Sequence, residues 1–146
     1  MKKAVAGFTM IELVIAVAIV LILVAVAFAS YQDYEARKLR AQVSTSLSEM
    51  ATWITHEHSS TGNYRLIRLP YSQIPYYGTA RYQVSLLQAD THASDPKSVF
   101  PGASENAFTL QAEPLNDDGC GALLIDQSGR RGVTGPGAHV EDCWGK

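Results

Sequence analysis

One acidic side chain, Glu12, stands inside an apolar segment that is long enough to cross a membrane. Leu13 to Ala29 is a run of 17 residues without a charge. Counted from Phe8, the segment has 22 residues, which corresponds to roughly 33 Å of helix. An ionisable side chain in such a segment costs a few kcal/mol, about 2.5–3.5 at the membrane centre on insertion scales. A carboxylate in this position is therefore expected to find a cationic partner or to lie near the membrane edge.

The residues before the apolar run indicate how such a partner would arise. Lys2 and Lys3 open the chain, and the small residue Gly7 precedes the hydrophobic stretch. An ordinary secretory signal carries its small-residue cleavage site after the apolar region, so that the region is lost. Cleavage after Gly7 would instead leave the hydrophobic segment on the mature protein as an anchor, with a new positive N-terminus at Phe8.

The motif Gly7-Phe8-Thr9-Met10-Ile11-Glu12 resembles the class III signal of type IV pilins and pseudopilins. The resemblance implies that a prepilin peptidase cuts between Gly7 and Phe8 and N-methylates Phe8. It also implies that Glu12 pairs with the Phe8 amine of a neighbouring subunit. That pair would set the axial register as subunits leave the bilayer, at an inner-membrane assembly platform, for a helical filament. The alternative is that Glu12 only marks the membrane edge.

Two further stretches narrow the resemblance to a PilE-like subgroup of type IVa minor pilins. They are Tyr31-Gln32-Asp33-Tyr34, after the anchor, and Cys120-Gly121 with Asp142-Cys143-Trp144, near the C-terminus. The chain departs from many type IV pilins by having Leu21 and Ala29 where those carry Gly and Pro. Gly and Pro cost about 1 and 3 kcal/mol relative to Ala inside a helix. Their absence predicts a continuous, straighter helix.

Two cysteines, Cys120 and Cys143, are an even number, and an even number in an exported domain favours a disulfide. It would close a loop of 24 residues, worth roughly 3.5 kcal/mol in the chain-entropy model. Charge alone leaves the orientation open, because Arg37, Lys38 and Arg40 follow the span just as the two lysines precede it. The leader resemblance and the cysteines favour a cytoplasmic N-terminus and an exported C-terminal domain.

Helical periodicity continues beyond the apolar run. Leu39, Val43, Leu47, Met50 and Ile54 recur at one face of a 3.6-residue period. We therefore predict one helix from about Thr9 to His58, which ends at the turn signals of Ser59 to Asn63. The apolar face of its second half needs a cover.

Alternating and apolar segments further along the chain predict that cover. They are Tyr82 to Leu86, Phe108 to Glu113, and Ala122 to Ile125 with a turn at Asp126 to Gly129. The predicted fold is α+β: a long N-terminal helix packed on an antiparallel sheet of three or four strands. The predicted organisation is a leader at 1–7, a transmembrane and filament-core helix at 8–29, and a periplasmic or extracellular domain at 30–146. Removal of the leader takes two lysines away and moves the formal net charge from −2 to −4.

A basic and aromatic stretch is the second candidate for chemistry. No acid occurs from His58 to Ala89, whereas nine acids and four bases follow it. Arginine binds phosphates and aromatic rings stack on exposed bases, so one positive, tyrosine-rich face would suit DNA. The alternative is that the tyrosines pack the loop on the helix and the arginines are solvated or contact neighbouring subunits. The candidates are Arg65, Arg68, Arg81, Arg130 and Arg131, with Tyr64, Tyr71, Tyr76, Tyr77 and Tyr82.

The remaining titratable residues do not indicate catalysis. His56 and His58 are two residues apart, so on a helix they point in different directions and are poorly placed to share a metal. We expect no metal, cofactor or small-molecule substrate. The sequence therefore favours a type IV pilus subunit for assembly, adhesion, twitching motility or DNA uptake. A DNA-uptake receptor within such a pilus and a pseudopilin of a type II secretion system are the alternatives.

Overall fold

The computed structural model describes residues 9–87, 100, 102–116 and 118–145. One long helix, α1 (Met10–Thr61), is followed by a 3-10 turn (Tyr64–Leu66) and five strands. The strands are β1 (Gln73–Ile74), β2 (Tyr82–Leu86), β3 (Thr109–Pro114), β4 (Leu123–Asp126) and β5 (Arg131–Val133). A short helix, α2 (Val140–Cys143), follows the last strand. The chain divides into two compact units, of which the first ends at Ala36 and the second begins at Arg37.

The first unit contains the start of α1, and the described residues of the chain leave its large apolar side chains uncovered. Every large apolar side chain from Met10 to Phe28 is between 51% and 84% exposed. Helix α1 is assigned without a break from Met10 to Thr61, as the absence of Gly and Pro predicts. Leu21 and Ala29 are both within it.

Helix α1 ends at Thr61, which lies within the predicted turn signals and three residues beyond His58. The Gly62 amide donates to the His58 carbonyl over 2.8 Å, and Gly62 has φ of 68°. This left-handed conformation is favourable for glycine and closes the last helical turn.

The second unit is built on the apolar face that the sequence predicts for α1. Val43, Leu47 and Ile54 are completely buried, Met50 is buried and Leu39 is half-buried. They form one core with the inward side chains of the sheet, which are Tyr82, Val84, Phe108, Leu110, Ala112, Leu123 and Ile125. The α+β fold with a helix on an antiparallel sheet is thus confirmed.

The sheet is a meander with the order β1-β2-β3-β4-β5, and all neighbouring strands are antiparallel. It has five strands rather than three or four. The predicted strands correspond to β2, β3 and β4, and the turn at Asp126 to Gly129 connects β4 to β5. The two edge strands, with two and three residues, are too short to show a period-two pattern, so the sequence does not reveal them.

The second face of the sheet is partly covered as well. All four residues of β4 are buried, and Leu124 packs with Leu87 and Phe100 on the side away from α1. Gly132 of β5 makes room for this contact, because a Cβ atom there would lie 2.4 Å from the Phe100 ring. Thr109, at one of the alternating polar positions of β3, is buried as well.

Candidate functional site

The predicted assembly site begins with the first turn of α1. The Thr9 hydroxyl accepts a hydrogen bond from the Glu12 amide at 3.3 Å, and the Thr9 carbonyl accepts one from the Leu13 amide at 3.2 Å. Thr9 therefore caps the helix, as a threonine three residues before a glutamate commonly does. Gly7 and Phe8, the predicted cleavage and methylation positions, lie outside the described residues.

Glu12 lies at the start of the helix and is exposed. A carboxylate in the first turn is favourable because the unpaired amides there carry partial positive charge. No cation lies against Glu12 among the residues that the structure describes. The geometry therefore leaves its carboxylate available to an external cation, while its backbone is held by Thr9.

The segment after Glu12 is suited to an apolar environment outside the chain. Helix α1 contains an 18-residue window that is long and apolar enough to cross a membrane, and none of this window is buried. In water, such an uncovered surface would be strongly unfavourable at about 25 cal/mol per Å². An apolar environment such as lipid would remove this cost.

The two cysteines form the predicted disulfide. The Cα atoms of Cys120 and Cys143 are 5.8 Å apart, and both residues are buried. The bond attaches α2 to the turn before β4. Trp144, which follows α2, is buried and donates its indole N–H to the Gly132 carbonyl at 2.9 Å, so the C-terminal segment is held against β5 as well.

A polar cluster around Asp118 connects this disulfide turn to α1 and β2. Arg40 donates to the Asp118 carbonyl at 2.7 Å and to its carboxylate at 3.4 Å. The carboxylate also accepts from the Cys120 amide at 3.0 Å and from the Tyr82 hydroxyl. Asp118 therefore joins three elements of the second unit through side chains that are only partly accessible.

The Asp118 cluster has two consequences for the sequence analysis. Burial raises the pKa of the Tyr82 hydroxyl well above its usual value, and the hydrogen bond to Asp118 raises it further. Asp118 holds Arg40 in the folded domain, so this cation has a structural role there. Arg40 is one of the three cations after the apolar segment that leave the membrane orientation ambiguous when it is judged by charge alone. Single-sequence reasoning missed this cluster because its members are far apart in the chain.

The tyrosines of the predicted basic and aromatic face separate into two groups. Tyr64 and Tyr82 are buried in the core, and Tyr64 stacks on His58 and contacts Phe108. Their expected exposure on a common face is therefore wrong, because both rings are part of the core between α1 and the sheet. Tyr71 is half-buried.

Tyr76 and Tyr77, by contrast, are exposed by 53% and 83%. Their rings meet edge to face with 4.5 Å between centroids, and Tyr76 also contacts Tyr71. They lie in the loop between β1 and β2. Arg81 ends this loop, where its amide donates to the Ile74 carbonyl at 2.9 Å. The loop thus places two exposed rings and one exposed guanidinium in one short segment.

The five candidate arginines have different surroundings. Arg65 donates to the Ala103 carbonyl at 3.1 Å, and Arg131 lies over the Trp144 ring at 5.0 Å. Arg130 pairs with Asp126 at 2.9 Å and lies over the Phe100 ring at 4.7 Å. Within the described part of the chain, Arg68 and Arg81 are exposed and have no side-chain hydrogen bond or ion pair.

Asp126 organises the turn that carries Arg130 and Arg131. Its carboxylate accepts from the Ser128 amide and hydroxyl and from the Arg130 amide and guanidinium, all within 3.0 Å. Burial on its own would raise the pKa of Asp126, but these hydrogen bonds outweigh it and hold the pKa below its ordinary value. The arginine-containing turn is therefore fixed from within.

His58 is engaged by a neighbouring ring and by a backbone carbonyl. His58 stacks on Tyr64 with 3.9 Å between ring centroids, and its Nε2 lies 2.9 Å from the Glu105 carbonyl. This contact uses the ring to close the end of α1 on the following segment. Over the residues that the structure describes, no group of three His, Cys, Asp or Glu side chains is arranged to hold a metal ion.

Comparison with known proteins supports the interpretation of the N-terminus. Residues 2–28 match the family model described as the prokaryotic N-terminal methylation motif. The matched range includes Gly7, Phe8 and Glu12, the residues of the predicted signal. No curated protein matches the chain in sequence.

Two solved structures are similar to this one. The non-core minor pilin PilV of Neisseria meningitidis is 18% identical, with a TM-score of 0.48, over 73% of this chain and 94% of that one. A type IV pilin from Shewanella oneidensis is 21% identical, with a TM-score of 0.45, over 76% of this chain and 99% of that one. The chain thus carries the N-terminal methylation motif at the start of a long helix, which is followed by a helix-and-sheet domain.

Proposed function

We propose that this chain is a type IV pilus subunit, and specifically a minor pilin, that polymerises through its N-terminal helix. The observation that carries the proposal is the uncovered, charge-free helix from Leu13 to Phe28, preceded by Glu12 inside a methylation motif. Before assembly the helix spans the inner membrane with its N-terminus in the cytoplasm. After assembly the same helix lines the filament core and the domain faces outward.

Processing and docking follow from the same residues. A prepilin peptidase cuts between Gly7 and Phe8 and methylates Phe8, which creates a cationic terminus. Glu12 of one subunit then pairs with this terminus on a neighbour. Because a carboxylate without a partner is costly in lipid, its pairing in the filament favours assembly and sets the axial register of the subunits.

The direct test is to replace Glu12 and measure incorporation. Glu12→Gln removes the charge with little change in size, and Glu35→Gln changes an exposed glutamate elsewhere on α1 as the matched control. Filaments are sheared from cells and the subunit is quantified by mass spectrometry, together with its N-terminal peptide. We expect incorporation of the Glu12→Gln chain to fall on the order of tenfold or more, since the pair is worth a few kcal/mol.

Several outcomes would change the proposal. Incorporation of Glu12→Gln at the unmodified rate would contradict the register role. High abundance of the unmodified chain in the fibres would make it the main structural subunit rather than a minor one. Processed protein that stays in the membrane, together with loss of protein export when the chain is deleted, would identify a pseudopilin.

DNA uptake is a second candidate function, and the exposed loop between β1 and β2 is the observation that favours it. Tyr76 and Tyr77 offer rings for stacking on unpaired bases, and Arg81 offers a cation for a phosphate. Arg68 is a further exposed cation, whereas Arg65, Arg130 and Arg131 are engaged within the domain. The candidate surface is thus smaller than the sequence predicts.

A binding assay distinguishes this surface from a purely structural loop. The Tyr76→Ser/Tyr77→Ser chain should lose single-stranded oligonucleotide affinity by about 1–3 kcal/mol for each stacked base. Arg81→Ser should reduce the dependence of binding on salt. The control is Arg130→Ser, which is expected to leave binding unchanged. Equal binding by all chains, or loss of DNA uptake only when pili are lost, would exclude the receptor role.

A further inference from the structure

Two exposed tyrosines follow the apolar part of α1. Tyr31 is 61% exposed and Tyr34 is 63% exposed. They are three residues apart on a helix, so their rings lie on neighbouring positions of one side. Among the described residues neither ring contacts another aromatic side chain, and neither hydroxyl has a hydrogen-bond partner. Both side chains are therefore available to surroundings outside the described residues.

Their position along the helix corresponds to the edge of a bilayer. Tyr31 lies nineteen positions after Glu12, and this is about 28 Å of helix, close to the roughly 30 Å of a hydrocarbon core. Between the two lie the charge-free apolar residues. Glu12 marks one end of the span, and Tyr31 and Tyr34 mark the other.

The polarity of the side chains increases along the helix at this end, as the polarity of the surroundings does across a membrane interface. Ser30 precedes the tyrosines, and its hydroxyl donates to the Val26 carbonyl at 3.4 Å, so it adds no unsatisfied group to the apolar region. Tyrosine then provides an apolar ring and a polar hydroxyl, a combination that is enriched where hydrocarbon meets headgroups.

We infer that Tyr31 and Tyr34 bind the lipid headgroup layer on the side of the exported domain and fix the depth of the helix before assembly. With the helix held there, Glu12 stays at the opposite interface rather than sliding into the hydrocarbon. This role rests on the membrane-anchored state in the proposed function. It adds a second determinant, at the far end of the span, to the docking role of Glu12.

The depth of the helix can be measured without filaments. The full processed chain is inserted into vesicles of phosphatidylethanolamine and phosphatidylglycerol that contain lipids brominated at known depths. A Phe28→Trp substitution reports its own depth through fluorescence quenching, after subtraction of the signal from Trp53 and Trp144 in the chain without the reporter. The compared chains carry Tyr31→Ser/Tyr34→Ser or, as a matched control, Tyr76→Ser/Tyr77→Ser.

We expect the change at Tyr31 and Tyr34 to shift the reporter by about 1.5–3 Å, one to two residues of helix rise. The control pair should leave the depth unchanged, and Tyr31→Phe/Tyr34→Phe should lie between the two. An unchanged depth in the Ser pair would overturn the inference while leaving the membrane anchor intact. A depth that changes with the ratio of protein to lipid would assign the tyrosines to contacts between copies and also overturn it.

A different quenching result would contradict the proposed membrane anchor itself. If the parent chain with the Phe28→Trp reporter were not quenched at any depth, the helix would not be inserted at all. That result would remove both the anchor and the inference. Quenching of the parent followed by an unchanged Ser pair would remove the inference alone.

Discussion

The two parts of α1 use apolar residues in opposite ways. From Met10 to Phe28 every large apolar side chain is more than half exposed, whereas Val43, Leu47 and Ile54 are completely buried. The first part is apolar on all sides, and the second is apolar on one side only. The pattern of apolar residues therefore separates the two parts. The sheet of the same chain covers the one-sided stripe of the second part, whereas the first part, apolar on all sides, is suited to contact with other molecules.

The largest effect that follows from this comparison concerns equivalent leucines. Leu47→Ala removes a fully buried side chain and should destabilise the domain by about 2–5 kcal/mol, whereas Leu21→Ala should leave its stability unchanged. Both chains are purified in detergent, and urea unfolding is followed through the fluorescence of buried Trp144. Equal destabilisation by the two substitutions would contradict the division of α1 into differently covered parts.

A second prediction concerns what holds the end of the chain on the domain. Cys120→Ser with Cys143→Ser should reduce the free energy of unfolding by roughly 3.5 kcal/mol, because the loop between the two positions is no longer closed in the unfolded chain. The first part of α1 should remain inserted in membranes. The measurement is urea unfolding without reductant, and the unmodified chain measured with reductant should show a similar loss.

The third prediction addresses the Asp118 cluster. Tyr82→Phe leaves a partly buried carboxylate without one donor and should cost about 1–3 kcal/mol. Tyr77→Phe, at an exposed ring, is the control and should cost nothing measurable. A cost equal to that of the control would show that Arg40 and the Cys120 amide are sufficient for Asp118.

The cluster also predicts a dependence on alkaline pH. Because the pKa of Tyr82 is raised in the folded state, its contribution is complete below the unfolded pKa of about 10 and is lost as pH rises beyond it. Unfolding measured between neutral pH and strongly alkaline pH should show this loss in the unmodified chain. The Tyr82→Phe chain should show a smaller loss.

Most of the fold follows from local patterns, and the exceptions have a physical reason. The stripe from Leu39 to Ile54 and the alternation in β2 depend on periodicity along the chain, and both were predicted. The buried state of Tyr64 and Tyr82 depends on residues distant in sequence, such as Phe108 and Asp118. The sequence indicates one basic and aromatic surface. Tertiary packing instead places some of its tyrosines in the core and others in a short exposed loop.

The smallest predicted effect comes from the turn between β4 and β5. Asp126→Asn keeps the size of the side chain but weakens its hydrogen bonds from Ser128 and Arg130. Since the pKa of Asp126 is lowered in the folded state, its contribution is present above the unfolded pKa of about 3.9 and is lost as pH falls below it. The unmodified chain should therefore lose stability between pH 5 and strongly acidic pH more steeply than the Asp126→Asn chain, as measured by thermal unfolding in detergent. Glu113→Gln, at an exposed position of β3, should keep the steepness of the unmodified chain. If Asp126→Asn keeps it as well, the hydrogen bonds to the Asp126 carboxylate add nothing to stability, and the turn is held by its backbone alone.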